Sequence, residues 1–165
     1  IAFTMVGWTY AATPMGFSSS NITVSARVNV SCQEVQHGSF PSPLVIETQT
    51  PAEQSFPPNA DELVRCTNGI VFTVKVTSAN GSALDQVCTS GGVTNMALKS
   101  AGWPGDVINY TFYCSGDTDG NGLFIGAGYN ASKALGIGIR VAAADAQVAI
   151  AHADYSDTVT LTITY

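Results

Sequence analysis

The chain has 165 residues, enough for one domain with a core of its own. Hydrophobic residues make up 45% and charged residues only 11%, and the remainder is rich in Thr, Ser, Asn and Gly, a mix that suits strands and turns better than helices and predicts an all-β protein. Twelve acidic against six basic side chains give a formal charge of -6, which excludes nucleic acid as a partner, and there is neither a polybasic patch for a membrane surface nor an uncharged apolar run of about 18 residues for a membrane span.

In chain order, residues 1–12 (IAFTMVGWTYAA) are apolar on both faces of a possible strand. No basic region precedes them, which reads as a signal peptide already removed. Residues 13–21, with Pro14, Gly16 and three serines, read as a linker. Residues 22–30 then alternate strictly. Ile22, Val24, Ala26, Val28 and Val30 take one face, while Thr23, Ser25, Arg27 and Asn29 take the other, as a half-buried strand requires. Residues 40–58 carry Pro41, Pro43, Pro51, Pro57 and Pro58, so at most one short edge strand, 44–48, is expected there.

Residues 63–67 and 70–77 are predicted strands joined by Asn68-Gly69, a strong hairpin signal. Asn80-Gly81 marks a further turn. Strands are expected at 93–99 and 107–114 with a turn over 102–105, then a Gly/Asp loop over 115–122 and strands at 123–125 and 135–142. Residues 143–154 are small and read as a loop with one helical turn. Residues 155–165 (YSDTVTLTITY) read as one continuous strand, with Val159, Leu161, Ile163 and Tyr165 against four threonines. No turn or strand follows to pair with its edge, so an unpaired apolar edge needs a cover from elsewhere.

Cys32, Cys66, Cys88 and Cys114 are even in number, widely spaced and without a C-x-x-C, which favours two disulfides over a metal site and places the protein outside the cytosol. Of the three connectivities, sequential pairing (Cys32 with Cys66, Cys88 with Cys114) is expected. Asp117-Thr118-Asp119-Gly120-Asn121-Gly122 has oxygens at alternate positions like a calcium loop, but position twelve is Gly128 rather than Glu, so it reads as a turn. His152, Asp154 and Ser156 lie too close in sequence for a catalytic triad, and no G-x-S-x-G is present. No enzymatic activity, metal or cofactor is expected. Asn21, Asn29, Asn80, Asn109 and Asn130 occupy sequons, and Trp8, Trp103 and Tyr129 are aromatic residues of a kind that lines sugar sites.

Five features occur together: a cysteine closing an alternating N-terminal strand (Cys32), V-R-C-T-N-G around Cys66, the N-Y-T-F-Y strand, the small-residue run with G-I-G-I-R-V, and the final Y-S-D-T-V-T-L-T-I-T-Y. In these the chain resembles, over residues 17–165, the spore coat protein U domain family, which contains the subunits of archaic chaperone–usher pili. The resemblance implies an incomplete immunoglobulin-like antiparallel β-sandwich, completed by a donor strand from a neighbouring subunit. Residues 1–31 would be the extension carrying the donor, and residues 32–165 the sandwich. On that reading Ile22, Val24, Ala26 and Val28 enter the neighbour beside Val159, Leu161, Ile163 and Tyr165, with residues 1–10 the competing donor. It further implies a homopolymer assembled with a periplasmic chaperone and an outer-membrane usher, secreted through the periplasm to an adhesive, biofilm-supporting fibre at the cell surface. The alternative is a self-contained secreted carbohydrate-binding module or tip adhesin.

Overall fold

The computed structural model describes residues 23–165. They form β1 (Cys32–Gln36), β2 (Gln54–Phe56), β3 (Glu62–Cys66), β4 (Val71–Ser78), β5 (Gln86–Val87) and β6 (Val93–Ser100). These are followed by β7 (Val107–Ser115), β8 (Leu123–Ile125), β9 (Lys133–Val141), the six-residue helix α1 (Ala143–Val148), β10 (Tyr155–Ser156) and β11 (Val159–Thr164). The protein is all-β, and every ladder is antiparallel. One sheet runs β1-β3-β9-β7-β6-β10, with β2 also on β9; the other runs β11-β4-β5, with β8 also on β4.

Alternation in the sequence becomes alternation in burial. Phe72, Val74 and Val76 of β4 meet Val64 and Cys66 of β3, Tyr110, Phe112 and Cys114 of β7, and Leu135, Ile137 and Ile139 of β9 in one core. Phe72 and Phe124 stack within it at 5.4 Å between ring centroids. Gly138 lies directly under the Tyr113 ring, where an added Cβ would overlap it, and the same ring carries the Arg140 guanidinium at 4.3 Å. The Cys32–Cys66 bridge joins directly opposed residues of β1 and β3. Cys88–Cys114 is fully buried and ties the residue after β5 to β7, one sheet to the other. Two such bridges belong to an oxidising compartment. No described helix is long and apolar enough to cross a membrane.

The turn and loop over 102–105 and 115–122, the strand at 123–125 and the single helical turn appear as expected. Four expectations are corrected. Residues 23–30 are exposed and form no ladder with the described residues; the first strand is β1, beyond them, because the chain is first tied to β3 at Ser31 and by the Cys32–Cys66 bridge, and Ile22 lies outside the described residues. Residues 44–48 form no strand. Pro41 and Pro43 lack the N–H a ladder needs, and Leu44 and Ile46 pack on the core from irregular backbone, while β2 takes the position on β9.

Asn68-Gly69 does turn, with Gly69 at φ 75° and the Ile70 N–H bonded to the Thr67 carbonyl at 3.1 Å. It makes no hairpin, however. β3 is paired on both edges by β1 and β9, so the chain crosses to the other sheet as β4. Finally, residues 155–165 are two strands rather than one: β10 pairs with β6 of the first sheet, and β11 pairs with β4 of the second.

Candidate functional site

Asp157 is what breaks the terminal strand. Its carboxylate accepts hydrogen bonds from the Tyr110 hydroxyl at 2.6 Å, the Ser78 hydroxyl at 2.7 Å, the Asn80 N–H at 3.0 Å and the Thr158 N–H at 2.8 Å. Asn80 Nδ2 adds a bond to the Ser156 carbonyl at 2.7 Å. Two sheets thus converge on one carboxylate, which turns the chain out of β10 and aims it along β4. Burial and the adjacent Asp157 charge hold the Tyr110 phenol protonated well above its ordinary range.

From that corner β11 runs with Val159, Leu161 and Ile163 half-buried and Thr160, Thr162 and Thr164 exposed. Among the described residues it pairs with β4 alone, in the register Leu161 to Val76 and Ile163 to Val74. Its other edge has no partner among the described residues. The three apolar side chains face a groove of about 1050 Å³ that reaches the core at Val74, Tyr110, Phe112 and Ile137, and that Phe40, Leu44 and Ile46 also line. Phe40 stands edge-on to Phe112 at 6.2 Å. Of the expected acceptor residues Val159, Leu161 and Ile163 line the groove; Tyr165 does not, because it follows the end of the ladder and is largely exposed.

Of the expected donor residues, Val24 is 87% and Val28 76% exposed, Ala26 is exposed as well, and Ile22 lies outside the described residues. Backbone regularity begins at Ser31, whose N–H is bonded to Thr67 Oγ1 at 3.1 Å and whose carbonyl accepts from the Thr67 N–H at 2.9 Å, beside the Cys32–Cys66 bridge.

His152 Nε2 sits 2.7 Å from Asp106 Oδ2, with its ring stacked on Trp103 and tilted against Tyr155. Asp154 instead accepts from the Ser100 hydroxyl and the Gly102 N–H, and these bonds, the backbone one first, lower its pKa. His152 and Asp154 therefore serve different partners. In the 117–122 loop Asp117 and Asp119 accept from the N–H groups of Gly122, Asn121 and Leu123, the self-capping of an Asx turn. Trp103 is exposed and stacks on His152, whereas Tyr129 lies under Arg65 at 5.2 Å. Trp8 and Asn21 lie outside the described residues. The Asn80 and Asn109 amides are engaged with Ser156 and Asp145.

One grouping escaped the sequence reading. Glu34, His37 and Glu62 bring a ligating atom each to within 4.8 Å of one another at the groove. No family model matches this chain, and no curated protein matches it significantly.

Proposed function

We propose that the chain is a structural subunit of a pilus, an incomplete immunoglobulin-like sandwich that polymerises by donating residues 22–28 to the open edge of β11 in the next copy. The observation that supports this reading is that, among the described residues, the same molecule has a strand edge without a partner over an apolar groove and an alternating segment that joins no ladder. Strand addition satisfies the free N–H and C=O groups of β11 and fills the groove with every second side chain. Each apolar side chain fully buried contributes about 1.5–3 kcal/mol. The alternation fixes the register, since a slip by one residue would present Thr23, Ser25 and Arg27 to the core.

On this reading residues 1–31 are the extension and 32–165 the domain. A periplasmic chaperone lends a strand before assembly at an outer-membrane usher, and the product is an adhesive extracellular fibre. The resemblance to the spore coat protein U domain family supports these partners and this location. Native sizing of the full chain tests the reading. Val24→Asp should abolish SDS-resistant polymers, because an unpaired carboxylate in the groove costs several kcal/mol, while deletion of residues 1–12 should leave fibres. Polymers that survive Val24→Asp but vanish on the deletion would move the donor to the first ten residues. A wild-type chain that stays monomeric at high yield would instead favour a self-contained binding module.

A further inference from the structure

Glu34 and His37 are three residues apart, and in a regular strand they would point to opposite faces. A β-bulge corrects this. The β1 register passes from Glu34 opposite Val64 to Gln36 opposite Leu63, so β1 uses one residue more than β3 over the same interval. The extra residue brings His37 level with Glu62, where the Gly38 N–H donates to Glu62 Oε2 at 2.7 Å, and leaves His37 Nδ1 2.6 Å from Glu34 Oε1.

Glu62 itself is only 7% exposed. Its carboxylate accepts the Gly38 bond and no other from the described residues, and no described Lys or Arg pairs with it or with Glu34. Two carboxylates and an imidazole thus converge at the groove with no described Lys or Arg to offset the acidic charge.

We propose that Glu34, His37 and Glu62 form a divalent transition-metal site, suited to Zn²⁺, at the end of β1. One imidazole nitrogen with two carboxylate oxygens is a donor set for zinc, whereas Ca²⁺ takes six to eight oxygens. Zinc bonds of about 2.0–2.2 Å place tetrahedral ligands roughly 3.4 Å apart. The present spread, within 4.8 Å, can close by rotation of the His37 and Glu34 side chains, which are 87% and 40% exposed. The fourth position faces solvent and takes water. The site joins β1 to β3 at the end of their ladder away from the Cys32–Cys66 bridge and does not depend on the polymerisation reading.

The full chain, stripped with chelator and titrated with zinc chloride by calorimetry, tests the proposal, with Co²⁺ absorption as a second readout. One ion per chain is expected, with the visible bands of a four-coordinate Co²⁺ site. His37→Ala and Glu34→Gln, both at exposed positions, should each weaken binding by at least about tenfold, the lower end of what losing even an outer-shell partner costs. His152→Ala, at the other histidine, should bind as wild type. No binding up to millimolar zinc, equal affinity in His37→Ala, or a loss confined to His152→Ala would overturn the assignment.

Discussion

The two sides of β4 use the same alternating pattern to different ends. Toward β5 and β8, Phe72 stacks on Phe124, Cys88 is bridged to Cys114, and all four are buried. Toward β11, Val159, Leu161 and Ile163 have an equally regular pattern, yet they are only half-buried because nothing described lies on their far side. The same period-two signal therefore yields a finished core where a disulfide and an aromatic pair close it, and an accessible groove where the last edge is left open. Alternation specifies which face turns inward but not whether the inward face is covered.

The contrast can be broken by truncation on each side. Phe72→Ala should cost about 3–5 kcal/mol in urea unfolding of the monomer, the range for a fully buried aromatic. Leu161→Ala should cost about 1 kcal/mol, since much of its apolar surface already lacks contacts. Equal costs would mean that the groove is filled within the monomer. Next in size is the corner between the two strands. Asp157→Ala leaves the Tyr110 and Ser78 hydroxyls and the Asn80 N–H without their acceptor, which should cost about 2–4 kcal/mol. Ultraviolet titration should then find the Tyr110 phenol ionising at lower pH than in wild type.

The smallest effect sharpens the comparison at the groove's polar end. Glu62 has a folded pKa raised above 4.5, first by desolvation. The folded state therefore holds the proton longer than the unfolded one, and stability falls as pH rises above 4.5 until the folded pKa is passed. In chelator, Glu62→Gln should keep an acceptor for the Gly38 N–H and flatten that decline, so that its advantage over wild type appears at neutral pH and vanishes in acid. Parallel curves for the two proteins would remove Glu62 as the source of the slope.

What could be read from the sequence is whatever depends on neighbours along the chain. The alternation around Val74, Phe112, Ile137 and Leu161 marks their strands, and Asn68-Gly69 marks a turn. What could not be read is which sheet a strand joins. Asn68-Gly69 looks like a hairpin because local propensity favours one, but β3 has both edges occupied by partners distant in sequence. The break in residues 155–165 was equally hidden, because Asp157 ends a strand only when Tyr110, Ser78 and Asn80 are in place to bind it. The Glu34, His37 and Glu62 grouping depends on a one-residue bulge that no periodicity announces. The alternation of Val159, Leu161 and Ile163 could be read, but not that Phe40, Leu44 and Ile46 line the same groove, nor that the ladder ends before Tyr165.

The Asp157 corner also sets a waiting time. Its bond to Ser78 joins residues 79 apart in sequence, and β11 pairs with β4 across a similar span, so the edge of β4 is made long before its partner exists. A chain emerging at about 5–20 residues per second leaves that edge without its partner for roughly 4–16 s. Antiparallel pairing over such distances is also slow to nucleate, because loop closure precedes any reward from contact. The pairing that borders the groove is thus among the most distant in sequence, matched by that of β2 with β9.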